Sequence, residues 1–428
     1  MNLHGWMILT ALGVGLVIDL VAQGLNLRSL RQGIPEEFAK DIDGKQYLRH
    51  QTYIRAQTHL HMVQAVFDLA ILAGFWFGHG FSWLDATVRT LQWSPLASGL
   101  FYIGTLLLAS RFLSLPFTIY ATFVLEARFG FNRTSIGTFI LDSVKGLFLM
   151  LVLGGPLLAG ILLLFERFGP GAWLAGWGVM AGFALLMQII VPIWLMPLFN
   201  RFSPLPEGEL KETLLTYTRS VGFPVADIVV MDGSRRSTKA NAFFTGFGRF
   251  RRIVLFDTLI QGYTSSELKA ILAHEVGHWR QRHLHESLLL GILNLGMMLY
   301  LLSLCLTVPD LYKAFHVTVP SVHAGLIFFA LLMTPVELLL TPLLKWRSRQ
   351  HEYAADRFAA RTCGDGESLV DALKKLAKDH LSHMTPHPFY VFMNHSHPPL
   401  AERVGRIRMA MEEMIRADRH ISGGDRDA

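Results

Sequence analysis

The stretch Ala273-His274-Glu275-Val276-Gly277-His278-Trp279 places two imidazoles four residues apart with a carboxylate between them. Residues four apart lie on one face of a helix, so His274 and His278 can direct ring nitrogens at one metal ion. Glu275 lies about 100° around that helix, on the side where a general base would act on a water at the metal. The spacing therefore predicts the metal-binding helix of a protease, and the rest of the chain must complete the site.

The composition indicates a membrane protein. Of the 428 residues, 51% are hydrophobic, which is too apolar for an ordinary soluble enzyme. The net charge of +6 could suggest a nucleic-acid partner, but the basic residues are spread over loops between apolar segments. Membrane topology explains them better, and no nucleic-acid partner is expected. The two cysteines, Cys305 and Cys363, can form neither a disulfide framework nor a thiolate metal site.

Seven apolar segments are long enough to cross a membrane. They are Trp6 to Leu25, His61 to Phe77, Leu100 to Phe123, Leu147 to Phe165, Trp173 to Phe199, Leu288 to Val308 and Val322 to Leu344. Kinks are expected at four prolines inside these runs, Pro116, Pro192, Pro335 and Pro342. Lysine and arginine alternate in density from loop to loop, which predicts an N-terminus outside and a metal helix and C-terminus inside.

Four ionisable residues lie within or at the edge of these segments, Asp19, Asp68, Arg111 and Glu337. Helix ends or buried ion pairs explain any one of them as well as a function does. A charge that faces lipid is costly, so together they favour a bundle that encloses a polar or water-filled interior.

The main soluble insertion runs from about Asn200 to His285. Two short apolar runs in it, Ile228 to Met231 and Ile253 to Phe256, predict buried strands with a loop or hairpin between them. A strand just ahead of the metal helix is well placed to bind an extended peptide by edge pairing. Thr264 and Glu267 fit a capping box at the start of the metal helix.

The sequence after the seventh span predicts two helices and a disordered tail. The segment Glu367 to Lys378 has leucines spaced for one helical face. A last amphipathic helix carries an apolar stripe, and the tail from Ser422 to Ala428 is expected to be disordered. The stripe consists of Leu400, Val404, Ile407, Met411 and Met414.

Two histidines leave a catalytic zinc one protein ligand short of the usual three. The longer pattern His-Glu-x-x-His-x-x-Gly-x-x-His fails, because Gln281 occupies its glycine position and Leu284 its histidine position. His283 and His285 are nearby but poorly phased with the first pair on a continuous helix. The third ligand is therefore expected elsewhere in the chain.

Glu352 is the stronger candidate, because it follows the seventh span directly and returns to the side of the membrane that carries the metal helix. Asp356 lies four residues on, and could accept the second N–H of a ligand histidine and fix its tautomer. A solvated acidic pair on a basic helix is the alternative explanation. His351 is an adjacent, weaker candidate.

Several stretches occur in an order specific to one family. They are Leu115-Pro116, Thr122 to Glu126, Gly130 to Asn132, Pro197 to Phe202 with Pro204-Leu205, Ser237 to Gly246, Ile253 to Leu259, the metal-helix stretch, Glu352 with Asp356, and Ser396 to Pro399. Over most of its length the chain resembles the type I, zinc-dependent CAAX prenyl proteases, which are integral membrane metalloproteases. The stretch Ser237-Thr238-Lys239 departs modestly from the family's usual Lys-Arg-Ser-x-His-Ser motif.

The resemblance implies a fold and a zinc site. The fold would be mainly α and polytopic, with seven transmembrane helices around an intramembrane chamber and a small α+β metalloprotease domain of the gluzincin type. One zinc ion per chain would be bound by His274, His278 and Glu352, with Glu275 as general base.

The resemblance also assigns residues to the substrate. It implies that Asn241 and Ala242 hold the peptide backbone and that His397 lies near the site. We infer that His397 stabilises the transition state or supports a ligand, and a structural turn ahead of Pro398 is the alternative.

The expected division has four parts. Residues 1–199 contain five membrane helices with their loops, and residues 200–285 form a cytosolic metalloprotease segment. Residues 286–345 contain spans six and seven, and residues 346–428 form a helical segment that completes the zinc site.

We expect a zinc metalloendopeptidase and, by resemblance, one that releases the last three residues of a prenylated CAAX peptide. A quality-control protease of the heat-shock type is the close alternative, although seven spans argue against that shorter group. A transporter or non-enzymatic scaffold is the alternative from another class.

The expected partners are a peptide or protein substrate, prenylated or not, and the lipid bilayer, and the chain is expected to be a monomer. The compact chain ends Gly424-Asp425-Arg426-Asp427-Ala428 without a recognisable retrieval signal. This favours a bacterial inner membrane over the endoplasmic reticulum.

Overall fold

The computed structural model describes residues 1–30, 33–246 and 251–424, with side chains described up to residue 416. The helices are α1 (Leu3–Ser29), α2 (Gly44–Phe77), α3 (Gly80–Thr90), α4 (Pro95–Ile119), α5 (Ile136–Leu149), α6 (Gly155–Phe168), α7 (Ala172–Ile190), α8 (Met196–Phe199), α9 (Glu209–Ser220), α10 (Asp257–Gly262), α11 (Ser265–Arg280), α12 (His283–Cys305), α13 (Pro309–Ala314), α14 (Val322–Leu332), α15 (Thr334–Thr362), α16 (Gly366–Asp379), α17 (Pro388–Asn394) and α18 (Leu400–Gly424). The strands are β1 (Phe202–Pro204), β2 (Asp227–Met231), β3 (Ala242–Thr245) and β4 (Arg252–Phe256). The expected mainly α class with a small sheet is confirmed.

Five helical stretches of the described chain are long and apolar enough to cross a membrane, and α14 with α15 forms a sixth candidate bent by 55°. One of the five, Ile136–Phe199, has 64 residues, about three times what a single crossing requires. A turn at Gly169–Gly171 divides it and lets α7 pack back against α6. That stretch is therefore long enough for two crossings, and counting it twice gives seven candidate spans, the number that the sequence predicts.

The prolines within the spans distort the helices mostly as predicted. Pro116 is followed by the π-helix Tyr120–Glu126, and Pro192 lies inside a second π-helix. Pro335 lies in the first turn of α15, at the 55° bend that follows α14. A proline lacks an N–H and its ring clashes with the carbonyl four residues back, so a wider turn or a bend accommodates it. Pro342 lies inside α15, which continues through it.

The strands form one mixed sheet in the order β1-β2-β4-β3. β2 and β4, the strands predicted from sequence, are parallel neighbours, so a hairpin between them is wrong. Parallel strands need a crossover, and this one contains β3, which pairs antiparallel with β4. The strand just ahead of the metal helix is β4, and its expected free edge is also wrong because β2 and β3 flank it. The edge strand on that side is β3.

The metal helix α11 packs along α15 at very short range. A Cβ added to Gly277 would lie 2.9 Å from the Cα of Ala355, closer than side chains tolerate. Glycine therefore lets the two helix backbones approach each other. The predicted capping box of Thr264 and Glu267 is present at the start of α11 and fixes where the helix begins.

Helices α16 and α18 close the soluble part over α11 and α15. The predicted stripe of α18 is buried in its first half, where Val404 and Ile407 belong to the core. The expected disorder from Ser422 is wrong for residues 422–424, because α18 continues to Gly424. Residues 425–428 lie outside the described residues.

Some polar groups within the spans face a cavity or each other. A cavity of about 890 Å³ lies between α1, α2 and the C-terminal segment, and His61 lines it. The Nε2 atom of His61 lies 3.0 Å from Oδ2 of Asp19 and so joins α1 to α2. Glu337 lines another pocket together with Asp19, and Asp68 is exposed on α2. Since a charge facing lipid is costly, the positions of Asp19, His61 and Glu337 favour the predicted polar interior.

Candidate metal centre

Three ligand atoms converge where α11 meets α15. The Nε2 atoms of His274 and His278 are 3.1 Å apart; that of His274 lies 3.4 Å from Oε2 of Glu352, and that of His278 lies 3.4 Å from Oε1. Tetrahedral zinc with bonds of about 2.0–2.1 Å holds its ligand atoms about 3.3 Å apart. Oε2 of Glu352 is buried with no hydrogen-bond partner among the described residues. This donor set fits a zinc ion.

The elements that bring these atoms together are distant in sequence. α11 supplies both imidazoles, and α15 supplies Glu352 from 74 residues beyond His278. The close approach of the two helices at Gly277 permits the convergence. Glu352 is only 5% exposed, so its charge is stabilised by the groups around it rather than by solvent.

The buried side chains of Asp356 and Arg403 support His274 from outside the group of three ligands. Its Nδ1 lies 2.8 Å from Oδ1 of Asp356. Asp356 in turn accepts two hydrogen bonds from Arg403, at 2.6 and 2.8 Å. Burial opposes protonation of His274, but the neighbouring carboxylates of Asp356 and Glu352 outweigh burial and raise its pKa to about 9.

Arg403 is the functional residue that the sequence analysis missed. It is 9% exposed and lies on the buried face of α18. The signal was present, because Arg403 falls between Leu400 and Val404 in the predicted apolar stripe. A charged residue in such a stripe requires a buried partner, and here that partner is Asp356.

Replacing Arg403 by leucine is expected to destabilise the protein by about 3–5 kcal/mol, because it leaves Asp356 buried without its counter-charge. Thermal unfolding in detergent measures the loss, with Arg406→Leu as the matched control on the exposed side of α18. The double variant Arg403→Leu, Asp356→Asn should recover part of the stability. Equal melting temperatures for Arg403→Leu and Arg406→Leu would contradict the importance of this buried pair.

A pocket of about 300 Å³ opens beside the ligand triangle. Glu275, Asn241, Ala242 and His397 line it together with the ligands His274 and Glu352. Burial raises the pKa of the Glu275 carboxyl above its ordinary value. Nε2 of His397 lies 3.4 Å from Oε1 of Glu352, and its Nδ1 lies 3.0 Å from the hydroxyl of Ser396. The pocket lining thus includes all the predicted site residues except His278 and Asp356, which both contact the lining residue His274.

The three histidines considered as other ligands lie outside the triangle. Nδ1 of His283 approaches Nδ1 of His278 at 3.0 Å, on the side away from Glu352. His351 stacks on His283 with ring centroids 4.0 Å apart. His285 is exposed.

Comparisons with known proteins identify the family. Residues 23–201 match the family model "CAAX prenyl protease N-terminal, five membrane helices", and residues 204–411 match peptidase family M48. A protein named CAAX prenyl protease 1 homolog from rice, Oryza sativa subsp. japonica, is 34% identical over 88% of this chain and 90% of its own length. The chain belongs to the CAAX prenyl protease family.

Other members of this family agree with the fold. CAAX prenyl protease 1 of Saccharomyces cerevisiae is 33% identical over 89% of each chain. The crystal structure of Ste24p from S. mikatae matches with a TM-score of 0.88 at 30% identity, covering 95% of this chain and 99% of that one. The resemblance found in the sequence is therefore confirmed.

Membership of the CAAX prenyl protease family has direct consequences. The protein is an integral, multi-pass membrane metalloprotease and hence a hydrolase. A transporter or non-enzymatic scaffold finds no support in these comparisons. The expected bacterial inner membrane finds none either, because the relatives named here are eukaryotic.

Proposed function

We propose that the protein is a zinc endopeptidase that removes the C-terminal tripeptide from prenylated CAAX peptides. One zinc ion per chain is held by His274, His278 and Glu352. The observation that carries this proposal is the convergence of three ligand groups in a family of metallopeptidases. The two Nε2 atoms are 3.1 Å apart, and each lies 3.4 Å from a different carboxylate oxygen of Glu352.

The proposed chemistry places the proton on Glu275. Zinc bound by these three residues would supply a Lewis acid that polarises the scissile carbonyl and lowers the pKa of water towards about 7. Glu275 takes the proton as water attacks and delivers it to the leaving amine. Burial raises the pKa of Glu275, which brings a carboxylate closer to the range where it can both accept and return a proton. His397 faces the same pocket and supports the transition state.

The proposed peptide site is the free edge of β3. Among the described strands β3 pairs only with β4, so its other edge is open at the catalytic pocket. The N–H of Ala242 donates to the side chain of Asn241 at 2.9 Å instead of to a strand. An extended substrate can pair with this edge, and alternate side chains then enter the pocket.

The preference for a prenylated substrate is tested with a pair of peptides that differ only in farnesylation. The family name supports a prenylated substrate, whereas the quality-control alternative requires no lipid. We expect kcat/KM to be at least about tenfold higher for the farnesylated peptide, which needs only about 1.4 kcal/mol of preferential binding. Both peptides are compared in one detergent, with Glu275→Gln as the blank. Equal rates for the two peptides favour the quality-control function.

We also propose a membrane orientation, an oligomeric state and a domain division for the protein. The charge distribution of the loops supports an N-terminus outside and a catalytic segment and C-terminus in the cytoplasm. The chain acts as a monomer and is divided at residues 199, 285 and 345, as the sequence analysis expects. Its partners are the peptide substrate and the bilayer.

A further inference from the structure

His278, the second histidine of the metal helix, has an unusual neighbour. Nδ1 of His278 lies 3.0 Å from Nδ1 of His283, and the rings meet edge to face with centroids 5.1 Å apart. His283 is only 7% exposed. Ligand histidines commonly donate this second N–H to a carboxylate, a backbone carbonyl or water. In this protein the acceptor is another imidazole.

Metal binding would determine where the protons of this pair lie. Nε2 of His278 faces the other two ligand groups, so with a metal ion bound there its lone pair points at the ion and its proton lies on Nδ1. That N–H donates to His283, whose Nδ1 must therefore be unprotonated. His283 then carries its own proton on Nε2 and is neutral.

The backbone and the neighbouring helices hold His283 in place. Arg282, in the turn between α11 and α12, has a φ of 60°, a left-handed conformation that is uncommon for a residue other than glycine. This turn directs the first residue of α12 back towards α11. Strain of this kind persists only where the surroundings over-determine it.

A chain of side chains fixes the ring of His283 from behind. The ring stacks on His351, with the ring centroids 4.0 Å apart and 11° between the ring planes. Nε2 of His351 lies 3.2 Å from a carboxylate oxygen of Glu286, which Arg347 binds through two hydrogen bonds of 2.5 and 2.9 Å. His283 and Glu286 belong to α12, and His351 and Arg347 to α15, so two helices that continue into the membrane hold this ring.

We propose that His283 is a positioning residue that fixes the tautomer and direction of His278. It acts for His278 as Asp356 acts for His274, but as a neutral acceptor instead of a charged one. The inference rests on the proposed zinc site and adds the residue that aims its second imidazole.

The test measures zinc affinity by competition with a chelator in the full-length protein. His283→Leu removes the acceptor, and we expect it to weaken zinc binding by about 10–100-fold, the usual effect of losing such a partner. His283→Asn is smaller but keeps an oxygen near the position of Nδ1, and we expect it to bind zinc within a few-fold of wild type. His285→Leu, at the exposed neighbouring histidine, should bind like wild type.

The asparagine variant separates orientation from packing. If His283 served only to fill space, asparagine would weaken zinc binding at least as much as leucine. That result, or wild-type affinity in His283→Leu, overturns the inference. If the wild-type protein itself binds no zinc, the proposed function fails instead, so the two failures are distinguishable.

Discussion

The change Glu275→Gln is expected to lower kcat/KM for peptide hydrolysis by about 10²- to 10⁴-fold, the contribution of a positioned general base. Glu275 lines the catalytic pocket but is not one of the three converging ligand residues. Glutamine has nearly the same shape and cannot accept the proton, so zinc content should stay at one ion per chain. Peptide cleavage and metal analysis on the same preparation measure both quantities.

A Glu275→Gln protein that keeps both its zinc and full activity would contradict the role of Glu275 as general base. Glu412→Gln on the exposed side of α18 is a suitable control, because it removes one carboxylate far from the pocket lining. It should leave rate and zinc content unchanged.

Glu352→Gln is expected to lose zinc, and to lose activity because zinc is lost, whereas Glu275→Gln loses activity and keeps zinc. Glu352 is the only carboxylate among the three converging ligand groups in the described residues. Removing the negative charge also leaves two neutral imidazoles to hold a dication. The affinity for zinc should fall by more than about 100-fold, beyond the range for loss of an outer partner. Chelator competition gives the affinity.

Excess zinc should restore part of the activity of Glu352→Gln and none of that of Glu275→Gln. This contrast separates a ligand from a base without any structural assumption. Wild-type zinc affinity in Glu352→Gln would show that the third ligand is another residue.

The metal helix could be read from the sequence because every signal for it is local. The capping box and the four-residue spacing of His274 and His278 act within one helix, and the structure has both features. Glu352 could be proposed as well, because the order of membrane spans returns it to the same side. Gly277 shows why the two helices meet, but the close approach is visible only when both backbones are in place.

The parts that sequence reasoning missed depend on contacts between distant segments. β3 is four residues long and is defined by pairing with β4, so period-two alternation had little length in which to show. Arg403 is paired with Asp356, 47 residues away, and its position in an apolar stripe was the available clue. Helical phasing argues against His283 as a ligand on a continuous helix, but it says nothing about a contact made across a turn.

The most direct test of the zinc centre is a titration of metal-stripped protein with zinc while peptide hydrolysis is recorded. We predict no hydrolysis without zinc, a linear rise with added zinc, and a plateau at one equivalent per chain. Full hydrolysis by the stripped protein, or a rise that continues to two equivalents, would contradict a single centre built from His274, His278 and Glu352.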